Sequence, residues 1–521
     1  IDGRYRTQIK AQVDLATFTP VPWPETKGGA WLRDVLPEGG RVAFDPWLMT
    51  ASQRDDLVAD LDASGLELVA SDNLVDAIWH DRPAPPSAPA RVHPLEFAGI
   101  SMEDKIAARA QDLKERGLSA AVLTLPDSIC WLLNIRGADV PRTPLIQGFA
   151  ILHDDARVDL FARPSKLDGL EAHLGPQVSV HQPDRFLPGL AHLQGRVLLD
   201  KQTVPVAVLE ALGDKAHLDQ DPCALPKACK TDAEIAGTVA AHLRDGAAVV
   251  EFLAWLDAQA PGSLTERHVV TALEGYRRQD NSLRDISFET IAGTGANGAI
   301  MHYRVSEKTD SLLEDGHLLV LDSGGQYLDG TTDITRTIAI GTPSQEARAC
   351  FTRVLQGMIG MSRLRWPKGL AGRDIEMIGR LPLWMAGQDF DHGLGHGVGT
   401  YLSVHEGPQR LSRLSHVPLQ PGMILSNEPG YYREGAFGIR IENLAVVREA
   451  PEVKGGDAHR EMLCWQTLTF APIDRRLIVT ETLNPQERGW LDTYHAEVLA
   501  KIGPRVSAAA AAWLHRACAA L

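Results

Sequence analysis

The sequence predicts a chain of mixed α/β and α+β class: two related α/β domains, the first incomplete at its start, followed by a larger C-terminal α+β domain. Three observations carry that reading. A proline-rich stretch, RPAPPSAPA from Arg82 to Ala90, breaks the pattern early, and a near-repeat stands on either side of it, GRVAFD at Gly40 to Asp45 and GRVLLD at Gly195 to Asp200. Beyond Cys229 long helical patterns give way to strand-like runs alternating with helices.

Arg82 to Ala90 cannot continue a helix or a central strand, because proline has no backbone N–H to donate. A domain limit is therefore expected near residue 95. Each GRV segment reads as a buried strand leading into a helix. A helix, a strand and a helix ending in NLVDAIW have a loose counterpart in SMEDKIAARAQDLKERG, AAVLTL and SICWLLN, so residues 1–95 and 96–226 are expected to be two copies of one domain. If the second copy starts near Ile100, GRVLLD lies ~95 residues into it, and on the order of 55 residues would be absent from the first copy. The chain is thus expected to begin mid-domain; position 1 is Ile, not Met, and targeting signals are not legible.

Residues 227–521 form the third expected domain. Its first helix opens with a capping box, Thr231 and Glu234, carries Ile235, Val239, Leu243, Val250 and Leu253 at helical spacing, and stops by Pro261-Gly262. A second capping box, Ser263 and Glu266, is expected to start the next helix. The tail SAAAAAWLHRACAAL reads as a packed terminal helix.

Bulk properties exclude several functions. With 521 residues, 44% of them hydrophobic, the chain can bury two or three cores. The formal charge of −15 repels phosphate backbones and anionic bilayers, so neither nucleic acid nor a membrane is an expected partner. No apolar run approaches the ~20 residues of a membrane helix. Six cysteines without a C-x-x-C pair suggest neither a disulfide framework nor a zinc ribbon, and fit a reducing, cytoplasmic setting.

The chemistry concentrates in LDSGGQYLDGTTDITRT, where Asp322 and Asp333 sit on two apparent strands. If the hairpin is centred between Tyr327 and Leu328, the two acids face each other with Cβ atoms ~5 Å apart. If Asp329-Gly330 forms the turn, Asp322 faces Thr337 and Asp333 falls ~13 Å along the strand. A second stretch, NEPGYYREGAFGIRIEN, favours the facing register: Glu428 and Glu442 are symmetric about Gly435 and again oppose each other. Any one of these acids alone reads as a solvated strand residue. Four facing carboxylates, however, repel unless cations lie between them, and two divalent ions would balance them. The glycine-rich HGLGHGVGTYLSVHEGP adds His392, His396 and His405 as nitrogen candidates; it is not the H-E-x-x-H pattern, since Gly393 follows the first histidine.

These three stretches, with GANGAIMHY upstream, resemble the motifs of the Xaa-Pro aminopeptidases (aminopeptidase P) within the pita-bread metallopeptidase family, in their long three-domain form. The resemblance implies two creatinase-N-like α/β domains before a pita-bread catalytic domain. It implies that Asp322, Asp333, His396, Glu428 and Glu442 ligate two divalent ions, with Asp333 and Glu442 bridging. Mn²⁺ suits such an oxygen-rich set, with Zn²⁺ or Co²⁺ as alternatives. It further implies that His302, His392, His405 and Arg440 line the substrate site and that Arg4, in the opening IDGRY, helps hold the peptide. The implied reaction is attack of a metal-bridging hydroxide on the Xaa-Pro bond, with Glu428 accepting the water's proton and His405 and His302 stabilising the oxyanion. A homodimer is the implied assembly. Prolidase, a non-catalytic pita-bread module and a metal-free creatinase-like hydrolase are the alternatives.

Overall fold

The computed structural model describes residues 1–457 and 459–521. The chain separates into two compact units, Val21–Lys227, and a larger one built from Ile1–Pro20 with Ala228–Leu521.

In the smaller unit, β1 (Gly40–Phe44) and β2 (Leu66–Ala70) pair in parallel and are joined by α1 (Ala51–Leu61). Helix α2 (Met102–Glu115) precedes β3 (Ala120–Leu123), β4 (Phe149–His153), β5 (Val158–Phe161), β6 (Val178–His181) and β7 (Val197–Leu199), after which α3 (Val206–Leu212) leads to β8 (Ala216–Leu218). Strands β3 to β8 form one sheet in the order β8-β7-β3-β4-β5-β6. Both GRV segments therefore head the same strand–helix–parallel-strand motif, β1-α1-β2 and β7-α3-β8. The likeness extends to the terminal aspartates: Asp45 and Asp200 each accept the backbone N–H two residues on, from Trp47 and Gln202, at 2.8 Å. Arg82 to Ala90 carries no helix or strand.

The larger unit opens with α4 (Asp232–Asp257), capped by Thr231 and Glu234 as expected. The next helix, α5 (Glu266–Arg278), differs from expectation: its cap is Thr265, whose partner is His268. Glu266 is fully buried and accepts from Thr294 N, Asn297 Nδ2, Tyr303 OH and Ser311 N instead of closing a box with Ser263. Strands β9 (Leu283–Ile286), β10 (Ile291–Thr294), β11 (Leu318–Ser323), β12 (Gly325–Tyr327), β13 (Gly330–Thr331) and β14 (Ile334–Ala339) make two three-stranded sheets, β9-β12-β13 and β10-β11-β14. Phe252, Leu253, Leu273, Leu319, Leu321 and Ile338 form the core between them and the helices. Every residue of β11 and β14 is buried, which explains the apolar run Leu318–Leu321 of β11, while β14 buries Thr335, Arg336 and Thr337 among its apolar residues.

After α6 (Gln345–Ser362), β15 (Arg365–Pro367) and α7 (Met377–Trp384) come β16 (Gly395–Gly397), β17 (Glu406–Leu411), β18 (Ile424–Asn427), the hairpin of β19 (Gly430–Arg433) and β20 (Phe437–Arg440), then β21 (Asn443–Glu449) and β22 (Met462–Thr467). Apart from that hairpin these strands form one sheet, β15-β22-β21-β18-β16-β17. Helices α8 (Pro485–Ile502) and α9 (Ala508–Ala517) end the chain, the latter burying Ala510 and Leu514 as the tail predicts.

The first acidic hairpin adopts neither expected register. Asp322 pairs with Thr335, and Tyr327 with Gly330, so the turn is Leu328-Asp329. Helix α4 decides this: Asp329 accepts from Arg244 at 2.5 Å, and a Cβ on Gly330 would lie 2.9 Å from Thr238 Cα. Gly330 is needed as a flat strand residue against the helix, not as a turn residue. Asp333 consequently sits two positions from Thr335, diagonal to Asp322 on the same face. The second hairpin has the expected register, with Gly430 opposite Arg440 and, beyond it, Asn427 opposite Asn443.

Candidate metal centre

Strand parity brings the acids together. Along β14 and the residue flanking each end, Asp333, Thr335 and Thr337 share one face, and Arg336, Ile338 and Ile340 the other, because successive side chains alternate. Glu442, between β20 and β21, is docked on the first face by its own N–H to Thr335 O at 3.1 Å. Thr335 Oγ1 in turn donates to Glu442 Oε2 at 2.8 Å. Glu428 follows β18 and donates its N–H to Leu394 O at 2.9 Å. That brings the acid beside the glycine-rich stretch, where a Cβ on Gly395 would lie 2.0 Å from Ser426 O; only glycine permits the approach.

Ligand atoms of Asp333, His396 and Glu442 all lie within 4.8 Å of one another. His396 Nδ1 is 2.9 Å from Gly397 O. A carbonyl can only accept, so Nδ1 carries a proton and Nε2 is turned to the acids, 3.5 Å from Asp333 Oδ2 and 3.4 Å from Glu428 Oε1. Ser426 Oγ donates to Glu428 Oε1 at 3.0 Å. Among the described residues Asp322 Oδ1, Asp333 Oδ1 and Glu442 Oε1 are buried without any hydrogen-bond donor.

Such orphaned oxygens carry a large desolvation penalty. Burial, then the charges of Asp322 and Glu428, push the Asp333 carboxyl well above its ordinary value. Burial, then Asp333 and Glu428, do the same to Glu442. Burial raises Glu428 as well, against the pull of His396 and Arg440. Arg440 donates to Asp322 Oδ2 at 2.6 Å, to Tyr432 OH at 2.7 Å and to Thr335 Oγ1 at 3.2 Å. One guanidinium against four carboxyls leaves the cluster short of positive charge, and the unsatisfied oxygens of Asp322, Asp333 and Glu442 fit divalent cations.

The other candidates surround this cluster. The His405 ring lies edge-on to His396 at 4.2 Å, and that neighbour is the main reason its pKa falls to about 3. His302 Nδ1 is 3.0 Å from Tyr5 OH, and burial with the charges of Arg440 and Arg4 lowers it to about 4. Arg4 is held by Asp2, at 2.9 Å and 2.8 Å. His392 stands one residue back, reaching Arg440 through Tyr432 OH at 2.9 Å, with burial the main reason it stays neutral.

Four participants were not anticipated from sequence: Thr335, Ser426, Tyr432 and Tyr5. The first two lie two positions from Asp333 and Glu428, on the same strand face, and parity could have found them. Tyr5 meets His302 across 297 positions, and nothing local announces it.

The fold and the acidic cluster together define a pita-bread metallopeptidase, and the chain belongs to metallopeptidase family M24. The model of that family matches residues 236–449, a creatinase/prolidase N-terminal domain matches 81–234, and the C-terminal region of the M24 peptidases matches 461–521. The chain is 39% identical to aminopeptidase P2 of Arabidopsis thaliana over 96% of its own length and 77% of that protein. The crystal structure of X-prolyl aminopeptidase from Caenorhabditis elegans, described as a cytosolic enzyme with a di-nuclear active site, superposes with a TM-score of 0.95 at 32% identity, covering 100% of this chain and 88% of that one. The Xaa-Pro dipeptidase of Bacillus anthracis reaches a TM-score of 0.57 at 25% identity over 72% of this chain and 99% of its own.

Proposed function

We propose that this protein is a dinuclear-metal-dependent aminopeptidase that removes the N-terminal residue from peptides with proline in second position. The observation that carries the reading is the set of buried carboxylate oxygens without donors on Asp322, Asp333 and Glu442, the last two beside His396, in a chain similar to an X-prolyl aminopeptidase over its full length. Asp322, Asp333, His396, Glu428 and Glu442 would hold the two ions. The oxygen-rich donor set favours Mn²⁺ over Zn²⁺ or Co²⁺. When bound, such a pair lowers the pKa of water between the ions and polarises the scissile carbonyl.

The chain's own residues supply the remaining roles. Glu428 is the proton acceptor: Ser426 holds Oε1, and burial raises its proton affinity. His302 and His405, both held neutral, donate hydrogen bonds to the developing oxyanion. Arg440 orients Asp322 and, through Tyr432, His392; Arg4 offers a cation to the peptide. Two α/β domains meeting near residue 95, ahead of a catalytic domain from 227, are part of the same reading.

A homodimer is supported by the exposed apolar side chains of α7 and its C-terminal flank, Met377, Leu381, Trp384 and Met385; Leu381→Arg is expected to give monomers in sedimentation velocity. A cytosolic setting is supported by the worm relative and by six free cysteines. Among the described residues no helix is long and apolar enough to cross a membrane. The test of function is hydrolysis of a Xaa-Pro-Yaa tripeptide beside a Xaa-Pro dipeptide by the Mn²⁺-loaded protein. Cleavage of the dipeptide alone would make it a prolidase; cleavage of neither would leave a binding module.

A further inference from the structure

Strand β14 has a second face, and a cavity of about 400 Å³ lies behind it. Ile338 and Ile340 form one wall, Leu253 and Leu256 of α4 another, and Trp513 and Ala517 of α9 a third. That volume is in the range that holds a small organic molecule. The apolar walls alone do not say which, but the charges at the rim do.

Two carboxylates and three guanidiniums stand there, besides Arg336 in the wall. Asp257 and Asp474 are already taken by Arg476, at 3.0 Å and 2.7 Å. Among the described residues Arg475 donates only to main-chain carbonyls, Arg516 O at 3.3 Å and Ala520 O at 2.9 Å. Arg516 likewise donates to Ala512 O at 3.1 Å. Among the described residues neither has a carboxylate within ion-pair distance, and Arg475 Nε is buried with no acceptor at all. The carbonyls at the end of α9 offset about half a charge at most. In a protein of formal charge −15, this chamber carries two guanidiniums without a carboxylate partner, the half-buried Arg475 and, at its exposed edge, Arg516. A buried donor and excess positive charge at the mouth of a hydrophobic cavity select an anion with an apolar body.

We infer that the cavity between β14, α4 and α9 is a binding site for an aliphatic monocarboxylate, its head on Arg475 and Arg516 and its tail against Leu253, Leu256, Ile338 and Ile340. The site is separate from the carboxylate centre, which faces the opposite side of β14, and it requires no chemistry there.

The test is isothermal titration calorimetry on the metal-loaded full chain with decanoate below its micelle concentration, decyltrimethylammonium serving as the charge-reversed control. One decanoate should bind per chain and the cation should not. Arg475→Met should weaken decanoate about tenfold or more, the loss expected for a charge-assisted hydrogen bond. Ala517→Trp, which fills the chamber and leaves Arg475 in place, should abolish binding while the thermal transition of the fold persists. Absence of decanoate binding, equal binding of the cation, or wild-type binding by both variants would overturn the inference.

Discussion

Asp245 of α4 and Asp333 beside β14 are both buried carboxylates of the same unit, yet their surroundings are opposite. Asp245 takes two bonds from the fully buried Arg277, at 2.8 Å and 3.0 Å, and a third from Tyr327 OH at 2.8 Å. Burial would raise its pKa, but the Arg277 charge and these bonds outweigh it and hold the carboxyl below its ordinary value. Asp333 has no guanidinium of its own among the described residues, one oxygen without a donor, and three other acids as neighbours, Asp322, Glu428 and Glu442, and its carboxyl is pushed up. The fold can satisfy a buried acid completely where it needs only structure. Where it leaves four acids short, the missing positive charge must come from outside.

The sharpest way to break that contrast is to exchange the acids for neutral groups. Asp333→Asn should lower kcat/KM by at least about 1,000-fold, because the centre would lose a charged ligand and several kcal/mol of charge stabilisation with it. In the chelated protein the same change should raise the unfolding midpoint, since it removes repulsion. Asp245→Ala should do the reverse, costing about 3–5 kcal/mol in urea unfolding by leaving Arg277 buried and unpaired. Thr335→Val touches no ion directly but frees Glu442, and should weaken metal affinity about 10- to 100-fold in a competition titration.

The smallest effect is in pH. The Asp333 carboxyl is raised in the folded chain, so without metal its repulsion destabilises the fold at neutral pH and is relieved as pH falls through that raised value toward the ordinary 3.8. The melting advantage of chelated Asp333→Asn over chelated wild type should therefore shrink from pH 7 toward pH 4. Asp245, with a lowered pKa, has the opposite sign: its contribution is complete above 3.8 and is lost as pH falls below it.

Much of this site was legible in the sequence because strand parity is local. The symmetry of Glu428 and Glu442 about Gly435 is the register the second hairpin adopts. The first hairpin was not legible, because Gly330 looks like a turn residue and is held in strand by contact with α4, more than 80 positions away. Glu266 fails for the same reason: its sequence neighbours suggest a cap, whereas Thr294, Asn297, Tyr303 and Ser311 make it the hub of a loop cluster. The GRV near-repeat, only two short matches on paper, is a repeat of strand, helix and turn in three dimensions.

The central claim is that the acids of this centre are held together by a pair of doubly charged ions. Equilibrium dialysis against Mn²⁺ followed by elemental analysis tests it most directly. Two ions per chain in the wild type, and no more than one in Asp333→Asn and in Glu442→Gln, is the result the account predicts; a fully active wild type carrying no metal, or an Asp333→Asn chain that still holds two, would contradict it.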